Sequence, residues 1–237
     1  MARVFDRNMF IMMFSIMLGF VIITYFVADI MHTSQLDQLT SEHTTEIETI
    51  EENNIFFTTS FLESSVLLDS AREDRAFGNY HFDLARLFYI SALSENNVTI
   101  MEDYKSNCIS NCSEALPKYY NAHLNFELAA SFFNSTKQYT DYDSYLELLS
   151  LYINLSSSGS KLTLLRYNAT TYLTMLSENI TFIDNAVVFE QNVTELLEMF
   201  NVTMAACGAA AAEYEEIQDL IDEYNIEGFS TIREPPS

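Results

Sequence analysis

The stretch LDQLTSEHTTEIETIEENNIFFTTSFLESSVLLDSA, Leu36 to Ala71, decides the fold class. Its apolar or amphipathic members Leu36, Leu39, His43, Ile47, Ile50, Phe57, Phe61, Leu68 and Ala71 follow one another at steps of three, four and seven. That spacing lines one side of a helix; a half-buried strand would alternate at two. No Gly or Pro interrupts the stretch, and Glu46, Glu48, Glu51 and Glu52 are left for water. The pattern predicts a stalk helix over 29–76, too irregular for a coiled coil.

Toward the N-terminus the same helix is expected to continue into NMFIMMFSIMLGFVIITYFVA, Asn8 to Ala28, which carries no charge. A helix rises about 1.5 Å per residue, so this run spans roughly 30 Å, the depth of a bilayer's hydrocarbon. Its polar members Asn8, Ser15 and Thr24 lie near the ends or can bond their own backbone. Arg3 and Arg7 precede the run, and no Lys or Arg follows it before Arg72. Cationic side chains stay on the cytosolic side, so residues 1–7 are expected in the cytosol, 8–28 as a single-pass transmembrane signal-anchor, and the rest outside the cell membrane. A cleaved signal peptide would have an apolar core of about 7–15 residues and a small residue where Phe26 stands.

Toward the C-terminus the chain reads as an all-α helical bundle over 77–228, followed by a short tail, 229–237. Only 5 Gly and 3 Pro are present, so long regular elements are expected. Gly78 and Asn79 predict a turn. Tyr80, Leu84, Leu87, Phe88 and Ser91 predict a helix over 80–95. A loop is expected around Cys108 and Cys112, with Pro117 opening a helix whose stripe is Tyr120, Leu124, Leu128 and Phe132. Asn134 to Thr140 predicts a break. A helix follows over 141–155, then a loop at Ser156–Ser160, and helices over 161–180, 186–206 and 210–225. Thr, Val, Ile and Asn are frequent over 161–203, so strands compete with helix there.

The stretch GNYHFDLARLFYISALSENN resembles tetratricopeptide-type helices through Gly78, Asn79, Tyr80, Ala85, Tyr89, Ala92 and Leu93. That resemblance covers some twenty residues and implies helical-hairpin packing. The Tyr80 to Ala85 step is longer than in that family, and no period of about 34 residues follows.

Composition narrows the function classes. The chain has 11 Lys+Arg against 34 Asp+Glu, and only Arg3, Asp6 and Arg7 of these precede residue 8. So acidic a body repels nucleic acid and anionic headgroups. With 49% hydrophobic residues it has the means to bury a core and is not of the disordered class. Of 3 cysteines, Cys108 and Cys112 are expected to pair as a disulfide stapling a loop. Cys207, within MAACGAAAA, reads either as an intermolecular thiol or as a small buried one.

Asn-x-Ser/Thr occurs at Asn97, Asn111, Asn134, Asn154, Asn168, Asn179, Asn192 and Asn201, all on the side placed outside, and nowhere in residues 1–96. N-glycosylation in an extracellular or lumenal setting is therefore expected. At about 100° per residue Asn168 and Asn179 share a helix face, whereas Asn192 and Asn201 oppose each other.

The histidines His32, His43, His81 and His123 do not form the Glu-x-x-His pairs of a carboxylate di-metal bundle, and no zinc spacing joins them to the cysteines. Phosphate-loop, nucleophile-elbow, zincin and EF-hand motifs are missing too. Neither cofactor nor metal is expected, and no catalytic residue is nominated. The leading expectation is a membrane-anchored binding or structural module, an accessory subunit of a surface complex, with a protein partner or a homo-oligomer besides the lipid bilayer. The alternatives are an extracytoplasmic small-molecule sensor with a separate signalling partner, and an enzyme with scattered residues.

Overall fold

The computed structural model describes residues 7–184, 186–189 and 193–224; of residues 7–16, 18–23 and 28 it describes the backbone alone. Four helices carry the fold: α1 Arg7–Ser94, α2 Val98–Thr136, α3 Asp143–Glu178 and α4 Val193–Glu223. One hairpin, β1 Ile180–Ile183 and β2 Ala186–Phe189, joins α3 to α4. The chain divides into two units, Met1–Asn53 and Asn54–Ser237.

In the first unit the described part is helix α1 alone. Every side chain over 29–53 is exposed. Thr33, Thr40, Thr44, Thr45 and Thr49 each donate to the carbonyl four residues back at 2.8–2.9 Å. The anchor expected at 8–28 begins in this helix. Among the residues whose side chains are described no helix is long and apolar enough to cross a membrane; most side chains of 8–28, and Arg3, lie outside them.

The second unit is an all-α four-helix bundle with antiparallel neighbours. Phe61 meets Phe133, and Phe88 meets Tyr104, across α1 and α2 (ring centroids 5.6 and 6.1 Å apart). Tyr120 meets Tyr167, and Phe133 stacks on Tyr152 at 4.9 Å, across α2 and α3. Lys161 bonds Glu213 at 2.8 Å, and Tyr224 bonds Glu147 at 2.7 Å, across α3 and α4.

The buried residues of α2 are Met101, Cys108, Cys112, Ala115, Tyr119, Ala122, Phe126, Ala129, Phe133 and Thr136. From Cys108 onward they alternate at steps of four and three, a heptad seam of the kind that packs long antiparallel helices at a shallow angle. In α1 the same alternation runs through Ser64, Leu68, Ala71, Arg75, Gly78, Phe82, Ala85, Tyr89 and Ala92, of which all but Arg75 and Tyr89 are fully buried. Helix α3 is buried on two sides because it lies between α2 and α4.

Several sequence expectations are corrected. The stripe Tyr120, Leu124, Leu128 and Phe132 is exposed, and Tyr119, Ala122, Phe126, Ala129 and Phe133 form the core instead. A strict step of four gains about 40° per repeat and winds off the buried face, whereas steps of three and four stay on it. The expected turn at Gly78 and the expected loop at Ser156–Ser160 are both helix. Gly78 lies against the Tyr119 ring, where a Cβ would come within 2.8 Å, and Asn79 Oδ1 accepts the Tyr119 phenol at 2.8 Å. Small residues here make room for large rings from α2, and helix packing outweighs a glycine penalty of about 1 kcal/mol.

Residues 78–94 therefore end one long helix and do not form a tetratricopeptide-like hairpin by themselves. Pro117 sits inside α2 and not at a helix start. Its missing N–H leaves one carbonyl without its helical donor, and α2 continues because its heptad face is buried on both sides of the proline. The competition between helix and strand over 161–203 is resolved locally: α3 runs to Glu178, and among the described residues the strands are Ile180–Ile183 and Ala186–Phe189. The hairpin turn begins at Asp184, whose φ of 50° is one that Asp tolerates better than a branched residue. The tail 229–237 lies outside the described residues.

Candidate functional site

The cysteines sit in the core. Cys108 and Cys112 occupy consecutive layers of the α2 seam, so their four-residue spacing is the heptad step and the expected stapled loop is helix. Both are free thiols facing α3, with Cys108 Sγ 3.0 Å from Ser177 Oγ. The hydrogen bond from Cys112 holds the Cys108 thiol below its usual range, helped by Ser177 and opposed by burial. The same bond, together with burial, pushes the Cys112 thiol up. Cys207 is 1% exposed within the core, of the two readings the small buried thiol; burial raises its pKa, and Arg166 acts against this.

Two arginines tie α1 to α4. Arg72 donates to Tyr214 Oη at 3.1 Å, to Gln218 Oε1 and to Asp69 at 3.2 Å. Arg75 occupies a seam position, its guanidinium 4.1 Å above the centre of the Tyr214 ring. Arg75 Nη1 is buried without a hydrogen-bond partner, so the ring is what compensates the charge there. Sequence reasoning missed this layer because an arginine within an apolar heptad has no spacing signature of its own.

The histidines are scattered. His43 Nδ1 is 3.8 Å from Glu46 on exposed helix, His81 Nδ1 is 3.1 Å from Asn111 Oδ1, and His123 Nδ1 is 2.8 Å from Ser160 Oγ. Among the described residues no three His, Cys, Asp or Glu side chains converge as metal ligands.

The sequons spread over the bundle. Asn97 caps the N-terminus of α2 by accepting from Thr99 N–H at 3.0 Å, and its side chain is exposed. Asn134, Asn154, Asn168 and Asn201 are exposed on α2, α3 and α4. Asn111 and Asn179 are half-buried and donate to the carbonyls of Asn107 and Met175 at 2.9 and 2.8 Å. Asn192 lies outside the described residues.

Two surface features remain. A half-open groove of about 310 Å³ runs between α3 and α4, lined by Asn154, Ser157, Ser158, Lys161, Glu213 and Ile217. Its two charged groups already pair with each other. Helix α1, which carries no sequon, presents Leu62, Val66, Phe77, Tyr80, Leu87 and Ile90 to solvent in its bundle portion. Comparison with protein families, curated proteins and solved structures finds no match to this chain.

Proposed function

We propose that this chain is a membrane-anchored, extracytoplasmic binding or structural module, an accessory subunit of a surface complex. The observation that carries the reading is the outward face of α1 over residues 54–94. It exposes large apolar side chains on a helix free of glycosylation sequons, while the other helices carry them. Clusters of exposed apolar side chains mark sites of association, and α1 carries two, Leu62 with Val66 and Phe77 with Tyr80, Leu87 and Ile90. Placement outside the cytosol is supported by the uncharged run 8–28 behind Arg3 and Arg7, by the acidic body and by the eight sequons. Crosslinking on intact membranes is expected to recover a stable neighbour or a homodimer joined through α1; recovery of monomer alone overturns the reading. Protease added to sealed cells is expected to digest the bundle, and its protection overturns the topology.

The sensor reading has one feature on its side, the groove beside Asn154, whose volume is at the lower end for small-molecule sites. Thermal-shift screening of metabolites tests it: a stabiliser that loses its effect in Lys161→Ala supports it, and the absence of any stabiliser removes it.

A further inference from the structure

The heptad seam buried in the bundle has an unburied continuation in the sequence of α1. Counting back from Ser64 by the same alternation of three and four gives Phe61, Phe57, Asn54, Ile50, Ile47, His43, Thr40 and Leu36. From Phe57 onward these positions are half-buried or buried, whereas Leu36, Ile47 and Ile50 are between 51% and 56% exposed. Leu36, Ile47 and Ile50, with Thr40 and His43 between them, thus line one side of α1 over about 22 Å, and among the described residues no other helix covers them.

Intrinsic propensity does not account for this helix. Residues 33–49 include Thr33, Thr40, Thr44, Thr45 and Thr49, each turning its hydroxyl back onto the helix backbone. Threonine is a weak helix former, and such back-bonding slightly destabilises a helix. A helix of this composition ordinarily depends on packing against another element.

Charge selects the partner. Asp37 and Glu51 flank the seam on one side and Glu46 on the other; Glu42, Glu48 and Glu52 add to the field, and no Lys or Arg occurs from Asn8 to Ala71. In a parallel pair with a second copy, Glu46 would face Glu51 of the other helix, a like-charge contact that opposes association. A helix carrying Lys or Arg beside its own apolar stripe turns the same positions into attractive pairs.

We infer that the face Leu36, His43, Ile47 and Ile50 is a docking site for a basic amphipathic helix of another protein. The inference rests on the binding-module reading and supplies the chemistry of the partner.

The test uses the full-length chain in detergent micelles and two synthetic labelled peptides with leucine at the seam positions. One carries Lys at all flanking positions, the other Glu. The Lys peptide is expected to bind, with the Glu peptide weaker by about tenfold or more. Ile47→Asn with Ile50→Asn, which leaves every charge in place, is expected to lose about tenfold or more of the Lys-peptide affinity. Equal binding of both peptides, no binding of either, or unchanged affinity in the double variant overturns the site. So does efficient crosslinking between two copies of an Ile47→Cys chain with no peptide present. A native neighbour crosslinked only to residues 54–224, together with a failed peptide test, sinks this inference and leaves the module reading standing. Absence of any neighbour sinks that reading.

Discussion

The ring of Phe126 lies so close to Gly159 that a Cβ on the glycine would come within 2.6 Å of Cε1. Both residues are buried, one on α2 and one on α3, and the contact sets how near the two helices approach. Gly159→Ala therefore gains helix propensity but must displace a core ring, and a net loss of about 1–3 kcal/mol is expected. Gly208 on α4 has nothing within 4 Å of its absent Cβ, so Gly208→Ala is expected to stabilise by up to about 1 kcal/mol. Urea titration of the two variants in parallel checks both signs, and equal effects would contradict the close approach.

Tyr214 serves both arginines between α1 and α4, as hydrogen-bond acceptor for Arg72 and as the ring beneath Arg75. Tyr214→Phe retains the ring and is expected to cost about 1–3 kcal/mol through the lost bond to a charged group. Tyr214→Ala removes both and is expected to cost about 3–5 kcal/mol. Arg75→Leu discards a half-buried charge whose Nη1 is buried without a hydrogen bond, and is expected to lie within about 1 kcal/mol of the parent. Thermal melts of the three variants order them, and Arg75→Leu falling furthest would overturn the assignment.

All three cysteines are buried free thiols. A disulfide-exchange reagent is expected to label none in the native chain over minutes and all three after denaturation, because attack requires an accessible thiolate. Mass spectrometry without reductant reads the outcome directly. A linked Cys108–Cys112 pair would show that the compartment oxidises these layers in spite of their burial.

Stability should decline at alkaline pH. Burial raises the pKa of the Tyr119 and Tyr89 phenols above 10.0 and that of the Cys207 thiol above 9.0, and Cys112 is raised through Cys108 and burial. The folded chain thus holds these protons more tightly than the unfolded chain. Their contribution is complete below the unfolded values and is lost as pH climbs above them. Cys108, shifted down by its bond from Cys112, has the opposite sign but is one group against four. Urea midpoints from about pH 8 to pH 11 are expected to fall, with the steeper part above about pH 9; a flat profile would exclude the linkage.

The α-helical class, the acidic body and the sequon map follow from the sequence alone, because helix periodicity, charge and Asn-x-Ser/Thr are local properties that need no partner to be read. Tertiary structure decided which residues face inward. On α2 two apolar stripes compete, and only the neighbouring helices select Tyr119 and Phe126 over Tyr120 and Leu124. Gly78 and the serines around Gly159 resemble breaks to any local reading, yet a helix continues where small residues admit a ring from the facing helix. For the same reason Cys108 and Cys112, read alone as a staple for a loop, became two layers of a core: their spacing suits either role, and packing chose.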